Sequence, residues 1–432
     1  MDAPNDRERG KRKAIAGGDA APSTSEPSVT LPLKTGTLLK CRWKDGTLHP
    51  AEIIERRQTP SGDPHDYEYY VHYTEFDRRL DQWVNLERLD LSSVDTDVFA
   101  EVSHHLTTKM MTRHQKWKMV NRHLFHHHQG HEGFDAASLQ EHWALTKVKN
   151  IETIELGRYE IATWYFSPLP PEYKNSKKLY FCEFCLNILE TKEQLQRHMR
   201  KCDLKYPPGN EIYRSGALSL FEVDGMKNKV YTTNLCILAK FFLDHKLMPC
   251  EVASFLFHIL CKCDDRGCHM VAYFSKEKYS EESYNLSCIL TLPPYQNKGY
   301  GKFLIAFSYE LSKKEGVAGT PERPLSDLGW RSYQSYWTRV LLNALKEHKS
   351  ENDISIQELS KMTAMKTDDI LRTLQSLDLV QYKKGRQVIC TDPKVLDHHL
   401  KAAGSRGLKV DVSKLIWPPH VDLSQLQPPG WG

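Results

Sequence analysis

The first regular pattern along the chain is a set of short runs in which apolar and polar positions alternate. Thr37-Leu-Leu-Lys-Cys-Arg-Trp43 meets an Asp45-Gly46 turn and resumes over residues 48–54, the pattern of a β-hairpin. Tyr67-Glu-Tyr-Tyr-Val-His-Tyr73 alternates again, with large aromatics, and Asp81-Gln-Trp83-Val84 closes a small, strongly bent β unit. Much later an apolar, β-branched run over residues 287–292 stops at Pro293-Pro294, crosses a glycine-rich loop and enters a helix-forming stretch at Lys302. Residues 354–379 take helical spacing: two amphipathic helices with a turn over residues 363–367, and Asp368 and Asp369 at the start of the second. Residues 380–390 follow as a hairpin about Gly385, so this region reads as a winged-helix-like lobe. Such a lobe often reads DNA. Here Asp368, Asp369 and Asp378 stand against Lys366 and Arg372, which argues against a groove-binding helix.

Two stretches break the pattern. Residues 1–33, rich in Pro, Ser, Gly and Ala, predict a disordered basic tail. Within it Arg7-Glu-Arg-Gly-Lys-Arg-Lys13 is either a nuclear-import signal or a solvated charge run. Residues 91–148 are polar and carry His126, His127, His128 and His131 without a second ligand set at helical spacing, so they read as a linker with some helix.

Composition narrows the class. The 432 residues suffice for two or three domains, and 40% hydrophobic with 26% charged residues is the balance of a soluble globular protein. A net charge of +4 is too small to announce nucleic-acid binding by itself. Apolar runs such as residues 252–261 fall far short of a membrane span. Eleven cysteines without a secretory signal predict a reducing compartment, with cysteines used as ligands, nucleophiles or core residues.

Two motifs carry chemistry. Strand, glycine loop and helix start, in that order from Ser287 to Gly301, present unpaired backbone N–H groups at the positive end of a helix dipole, a phosphate site. No Gly-Lys-Ser/Thr follows, and Gln296-x-x-Gly299-x-Gly301 begins with Gln, so neither the P-loop nor the dinucleotide fingerprint applies. The second motif is Cys182-x2-Cys185-x12-His198-x3-Cys202. A knuckle brings the first pair together, and His198 and Cys202, four apart on one helix face, supply the other corners of a tetrahedron. Four protein ligands close the site, which makes Zn2+ structural. A single finger disfavours DNA reading, which usually runs in tandem at about 3 bp per finger.

The loop Gln296-Asn-Lys-Gly-Tyr-Gly301, Cys288 before it and Gly319-Thr-Pro-Glu322-Arg-Pro-Leu-Ser326-Asp-Leu-Gly329 after it are similar to those of MYST-family lysine (histone) acetyltransferases. Tyr273-Phe-Ser-Lys-Glu-Lys278 and Phe241-Phe-Leu-Asp-His-Lys246 extend the resemblance, as does the β unit, which resembles a chromo barrel. It covers roughly residues 36–90 and 150–418 and points to the plant members. The implied fold is α+β: an N-acetyltransferase-like mixed sheet core, a C2HC zinc finger, a C-terminal winged-helix-like lobe and a separate N-terminal small β-barrel. The implied domains are a tail over 1–33, the chromo barrel over 34–90 and a linker over 91–148. A zinc-bearing segment over 149–225, a cofactor-binding core over 226–345, the lobe over 346–420 and a tail over 421–432 complete the division.

The implied activity is transfer of acetyl from acetyl-CoA to lysine side chains, with the histone H4 tail of the nucleosome as substrate. The setting implied is the nucleus and a multi-subunit acetyltransferase complex, with no membrane. Residue by residue, Glu322 matches the family's general base and Cys288 its active-site cysteine. Ile289, Leu290 and Thr291 match the strand that receives the pantetheine arm. Gln296, Asn297, Lys298, Gly299, Tyr300, Gly301 and Lys302 match the pyrophosphate loop, and Ser326 and Ser335 further coenzyme contacts. Lys246 matches the autoacetylated lysine.

From the residues alone plainer readings stand beside these. Glu322 is a solvated carboxylate between Pro321 and Pro324, Cys288 a core cysteine sharing a strand face with Leu286, Leu290 and Leu292, and Lys246 a surface lysine. Trp43, Tyr70, Tyr73, Phe76 and Trp83 form either a methyl-lysine cage or a small core, and the barrel's partner is otherwise nucleic acid or protein. Several positions depart from the family: Asn297 for Arg, Ser287 for Ala, Trp330-Arg331 for Leu-Leu, Gln334 for Arg, and residues 247–254 throughout. Losing one charged phosphate donor costs about 1.5–3 kcal/mol, so weaker coenzyme binding is expected. The alternative is a catalytically silent chromatin reader or scaffold.

Overall fold

Alternation sorts the first sheet as the pattern requires. β1 (Leu38–Arg42) and β2 (Leu48–Gln58) pair antiparallel with Leu39 opposite Ala51, and Leu39, Cys41, Ala51 and Ile53 are buried. β3 (Tyr67–Tyr73), β4 (Gln82–Asn85) and β5 (Leu89–Asp90) complete a curled half-barrel of order β4-β3-β2-β1-β5. Of its five candidate cage aromatics two are core residues, while Trp43 and Trp83 are half-buried and Phe76 is exposed. Tyr70 and Tyr73 lie in the core, Tyr70 rests against Trp83 at 5.3 Å, and the chain's own Arg57 guanidinium sits 4.2 Å over the Trp83 ring.

This computed structural model describes residues 30–59, 66–94, 146–244, 252–347, 354–383, 386–403 and 407–416. The import signal, most of the basic tail, the histidine-rich stretch and Lys246 lie outside them. The chain divides into two units, one built on described residues up to 71 with 83–94, the other on 72–82 with those from 146 onward.

In the second unit, β6 (Thr153–Leu156), β7 (Tyr159–Ala162), β8 (Lys178–Phe181) and β9 (Ile188–Leu189) form a sheet of order β7-β6-β8-β9. α1 (Lys192–Met199) follows, started by a reciprocal Thr191–Gln194 capping box. The central sheet runs β10 (Asn210–Ser215), β11 (Leu218–Asp224), β12 (Phe255–Asp264), β13 (Gly267–Glu277), with α2 (Lys229–Lys240) between β11 and β12. The apolar stretch 252–261 is thus mostly a central strand, and no described helix is long and apolar enough to cross a membrane.

β14 (Tyr284–Leu286) leaves this sheet, while β15 (Ile289–Thr291) rejoins it as an edge strand on β13. α3 (Tyr300–Glu315), β16 (Thr320–Pro321), which pairs parallel with β14, and α4 (Asp327–Glu347) come next. The lobe follows as expected: α5 (Ile356–Thr363), α6 (Thr367–Ser376), the hairpin β17 (Val380–Lys383) and β18 (Arg386–Ile389), then α7 (Pro393–Ala402).

One cysteine expectation is corrected. Cys263 and Cys268, directly opposite on β12 and β13, form a disulfide rather than serving as ligands, nucleophiles or core thiols. Register alone brings them together, with Cα atoms 4.0 Å apart, which spacing along the chain did not reveal.

Candidate active site and metal centre

The site begins with an interruption. Ser287 N–H donates to the Ser275 carbonyl at 2.7 Å, and Ser275 N–H donates to the Cys288 carbonyl at 2.9 Å. Two residues therefore face one, a bulge, and the Ser275 hydroxyl accepts a third bond from Cys288 N–H at 3.1 Å. The bulge corrects the simple alternation expected of this strand. Cys288 does not share one face with all three leucines: Leu286 packs in a different core from Leu290 and Leu292, with which half-buried Cys288 lies. The bulge also leaves the Ser287 hydroxyl buried with no hydrogen-bond partner among the described residues.

Register then decides which backbone groups face outward. Leu292 N–H bonds the Val271 carbonyl and Ser275 N–H the Cys288 carbonyl, so Leu290 is the residue whose backbone pairs with β13. By alternation, the N–H and C=O of Ile289 and Thr291 point to the open edge of the sheet. Beneath the edge burial shifts the titratable groups toward their neutral forms. Burial pushes the Cys236 thiol up to about 12, with Cys288 nearby adding to it, and raises the Tyr273 phenol well above its usual value. Burial also lowers the Lys240 ammonium, which donates to the carbonyls of Leu243 and Asp244 at 3.2 and 2.6 Å.

Glu322 comes to the same place along a different strand. β14 and β16 run parallel with Leu286 opposite Pro321, and Glu322 N–H donates to the Leu286 carbonyl at 2.9 Å. Glu322 is one residue past Pro321 and Cys288 two past Leu286. Both therefore leave the carboxyl ends of paired parallel strands, at the point where β14 and β15 diverge. The peptide bond after Arg323 is cis.

The loop beyond β15 closes on it. Gln296 Nε2 donates to the Thr291 carbonyl at 3.0 Å, so this side chain fastens the loop to the strand. Lys298 Nζ reaches the Pro294 carbonyl at 2.9 Å. Asn297 and Gly299 both take positive φ, 59° and 89°, and Gly299 caps α3, which starts at Tyr300, two residues before the expected Lys302. Phe303 N–H makes the helix's first bond to the Gly299 carbonyl, leaving those of Tyr300, Gly301 and Lys302 as first-turn donors at the positive helix end. Gly299 also meets the Leu408 backbone N, 3.3 Å from where a Cβ would stand. Residues 407–408 thus border the loop, a neighbour no local motif signalled.

Ser326 and Ser335 sit on α4 and its cap, away from any described contact with that loop. The Ser326 hydroxyl accepts from Gly329 N–H at 2.9 Å, and that of Ser335 donates to the Ala403 carbonyl at 3.4 Å.

The metal centre assembles as the spacing required, with one correction. The ligand atoms of Cys182, Cys185, His198 and Cys202 lie within 4.8 Å of one another. α1 ends at Met199, so Cys202 approaches from the turn beyond the helix rather than from the same helix face as His198. A hydrogen bond from Cys185 holds the Cys182 thiol down to about 5 and pushes Cys185 up. Three sulfurs and one imidazole with no open position are a structural zinc set.

With its mixed sheet and closed zinc-binding set, the chain is an acetyl-CoA-using acetyltransferase with a C2HC zinc-binding site. Residues 206–415 match the MOZ/SAS family, residues 148–202 the MYST family zinc finger domain, and residues 33–91 the RNA binding activity-knot of a chromodomain. The histone acetyltransferases of the MYST family 2 and 1 from Arabidopsis thaliana are 66% and 64% identical to it. These alignments cover 94% and 98% of this chain and 90% and 94% of the relatives. Histone acetyltransferase ESA1 of Saccharomyces cerevisiae is 37% identical over 90% of this chain and 95% of its own length. The chain belongs to the MYST family of histone acetyltransferases.

Proposed function

We propose that the protein acetylates lysines of the histone H4 tail in the nucleus, by direct transfer from acetyl-CoA with Glu322 as the general base. One observation carries this reading: Glu322 and Cys288 leave adjacent ends of β14 and β16, beside the open edge of β15. A lysine ammonium with pKa near 10.4 costs about 4–5 kcal/mol to deprotonate at pH 7, which a carboxylate at the attack position offsets. The amine then attacks the thioester carbonyl, and collapse of the tetrahedral intermediate breaks the C–S bond and releases coenzyme A as its thiol, the proton taken up by Glu322 being returned to the sulfur. Cys288 N–H is already given to Ser275, so the outward N–H of Ile289 is the donor left for the developing oxyanion. In this scheme Cys288 lines the pocket.

The strand 289–291, with the backbone groups of Ile289 and Thr291 outward and Leu290 paired to β13 between them, takes the pantetheine arm, residues 296–302 the pyrophosphate, and Ser326 and Ser335 further coenzyme groups. Asn297 replaces a charged donor with a residue that enters the left-handed region more readily than most, so the departure costs affinity while preserving the turn. Lys246 becomes autoacetylated. Residues 226–345 act as the cofactor core and 346–420 flank the substrate cleft. The barrel over 34–90 contacts nucleic acid, in keeping with the description of the knot it matches. Residues 7–13 direct nuclear import, and the enzyme works within a multi-subunit complex.

Acetyl transfer from radiolabelled acetyl-CoA to core histones tests the reading. Label on H4 from wild type, with Glu322→Gln reduced about a hundredfold or more, is the expected result. Label confined to other histones rejects H4, and an active Glu322→Gln rejects the base.

A further inference from the structure

The residues on either side of Glu322 are tied to one buried carboxylate in another part of the molecule. Asp369, on the first turn of α6, is 3% exposed. Its Oδ2 accepts from the Thr320 hydroxyl at 2.6 Å and its Oδ1 from Arg323 Nη2 at 2.6 Å. Thr320 is two residues before Glu322 and Arg323 one after it. The same short segment is stitched to the lobe by backbone as well. Gly319 N–H donates to the Ala364 carbonyl at 2.8 Å, and Lys366 N–H to the Gly319 carbonyl at 3.3 Å. Gly319 fits because it has no side chain: a Cβ there would stand 2.7 Å from Asn285.

We infer that Asp369 is a positioning residue for acetyl transfer, holding Glu322 in place through Thr320 and Arg323 and keeping the Arg323 charge off it. The inference rests on Glu322 being the base. Two physical effects point the same way. A catalytic group displaced by about 1 Å loses on the order of a hundredfold in rate, and this anchor grips the base-bearing segment on both sides. An unpaired guanidinium next to a carboxylate lowers its proton affinity, and a weaker base takes the lysine proton less readily. With Asp369 as partner, Arg323 is committed to an ion pair with a buried oxygen.

Other charges near Asp369 do not substitute for it. Tyr309 of α3 and Tyr333 of α4 face it as phenols raised well above their usual range by burial, so both stay neutral. Tyr284 of β14, near Glu322, Glu282 and Arg323, is likewise raised by burial. On α6 itself, Asp368 and Arg372 flank it, and Lys366 Nζ is engaged with the Glu282 carbonyl.

The test is steady-state acetylation of an H4-tail peptide by the full, zinc-loaded chain over pH 5.5–9, comparing wild type, Glu322→Gln, Asp369→Asn, Arg323→Gln and the Asp369→Asn/Arg323→Gln double variant. Asp369→Asn is expected to lower kcat by about 10–100-fold with KM for acetyl-CoA within about twofold. The acid limb of its kcat/KM profile should move down by about half a pH unit or more, and the double variant should return that limb toward wild type. An Asp369→Asn enzyme with wild-type kcat and limb, alongside an inactive Glu322→Gln, overturns the inference and leaves the base standing. An active Glu322→Gln overturns both. If Asp369→Asn does not fold, Asp369→Glu decides: it keeps the charge and moves the anchor, so an unshifted limb with lowered kcat supports the role and wild-type kcat overturns it.

Discussion

At the scale of single residues, the strand proposed to carry the reaction is governed by a bulge that alternation does not anticipate. Opposing Ser287 and Cys288 to Ser275 turns the Ser287 hydroxyl into a buried site that offers it no partner among the described residues. A buried hydroxyl left unpaired costs about 1–3 kcal/mol, and replacing it by hydrogen removes that cost and leaves only a hydroxyl-sized gap. Ser287→Ala is therefore expected to stabilise the enzyme by about 1 kcal/mol, read as a raised midpoint in urea unfolding with an unchanged slope. A lowered midpoint would mean that the hydroxyl is satisfied in solution. Cys288 and Glu322 were legible as residues from their motifs, whereas their convergence was not. It depends on the β14–β16 register across about thirty-five residues of intervening chain, which carries no local signal. Asp369 shows the same limit from the other side. Its position at a helix start was readable, but an inward turn onto Arg323 needs the fold.

Elements with strong local signals were the legible ones. The barrel hairpin, the strand–loop–helix around Gly299 and the two lobe helices follow from turn residues and spacing, so local preference and tertiary structure agree there. The central strands were harder, because β12 and β13 are buried on both faces and read as apolar runs without a period. Within that sheet one polar pair stands out. Glu222 of β11 lies directly opposite His258 of β12, with Oε2 3.1 Å from Nε2, and the His258 ring stacks on Phe274 at 4.3 Å. Burial pushes the Glu222 carboxyl up, yet the hydrogen bond and charge of His258 outweigh it and hold Glu222 below its usual 4.5. A carboxyl with a depressed folded pKa contributes stability that is present above its unfolded value and is lost as pH falls through the folded one. The melting-temperature gap between wild type and Glu222→Gln should thus be widest at neutral pH and narrow steadily below about pH 4.5. A gap that stays constant to pH 3 would show that the pair contributes nothing through charge.

Across the second unit, three buried clusters explain why a structural metal matters to an enzyme whose chemistry lies elsewhere. One joins the helices α3 and α4 to the lobe through Tyr333, Trp337, Leu359 and Leu374, and another packs α3 on the central sheet through Phe303, Phe307 and Leu260. The third makes the zinc segment and the catalytic sheet one core. Ile154, Leu179, Phe181 and Leu186 of the former pack in the same cluster as Phe257, Ile259, Leu290 and Leu292 of the latter, with Cys288 against it. Zinc binding in small modules is folding free energy, so removing the ion loosens the walls of that core and, through Leu290, the strand proposed to receive the cosubstrate. Stripping zinc with a chelator should lower the melting temperature by about 10 °C or more and abolish acetyl transfer in parallel with metal release, and restoring zinc should recover both. His198→Ala should imitate the stripped protein, since it removes one corner of the tetrahedron and touches no group at the reacting site. Full turnover after stoichiometric zinc loss would show that the catalytic sheet holds its core alone, and that the shared cluster is contact without coupling.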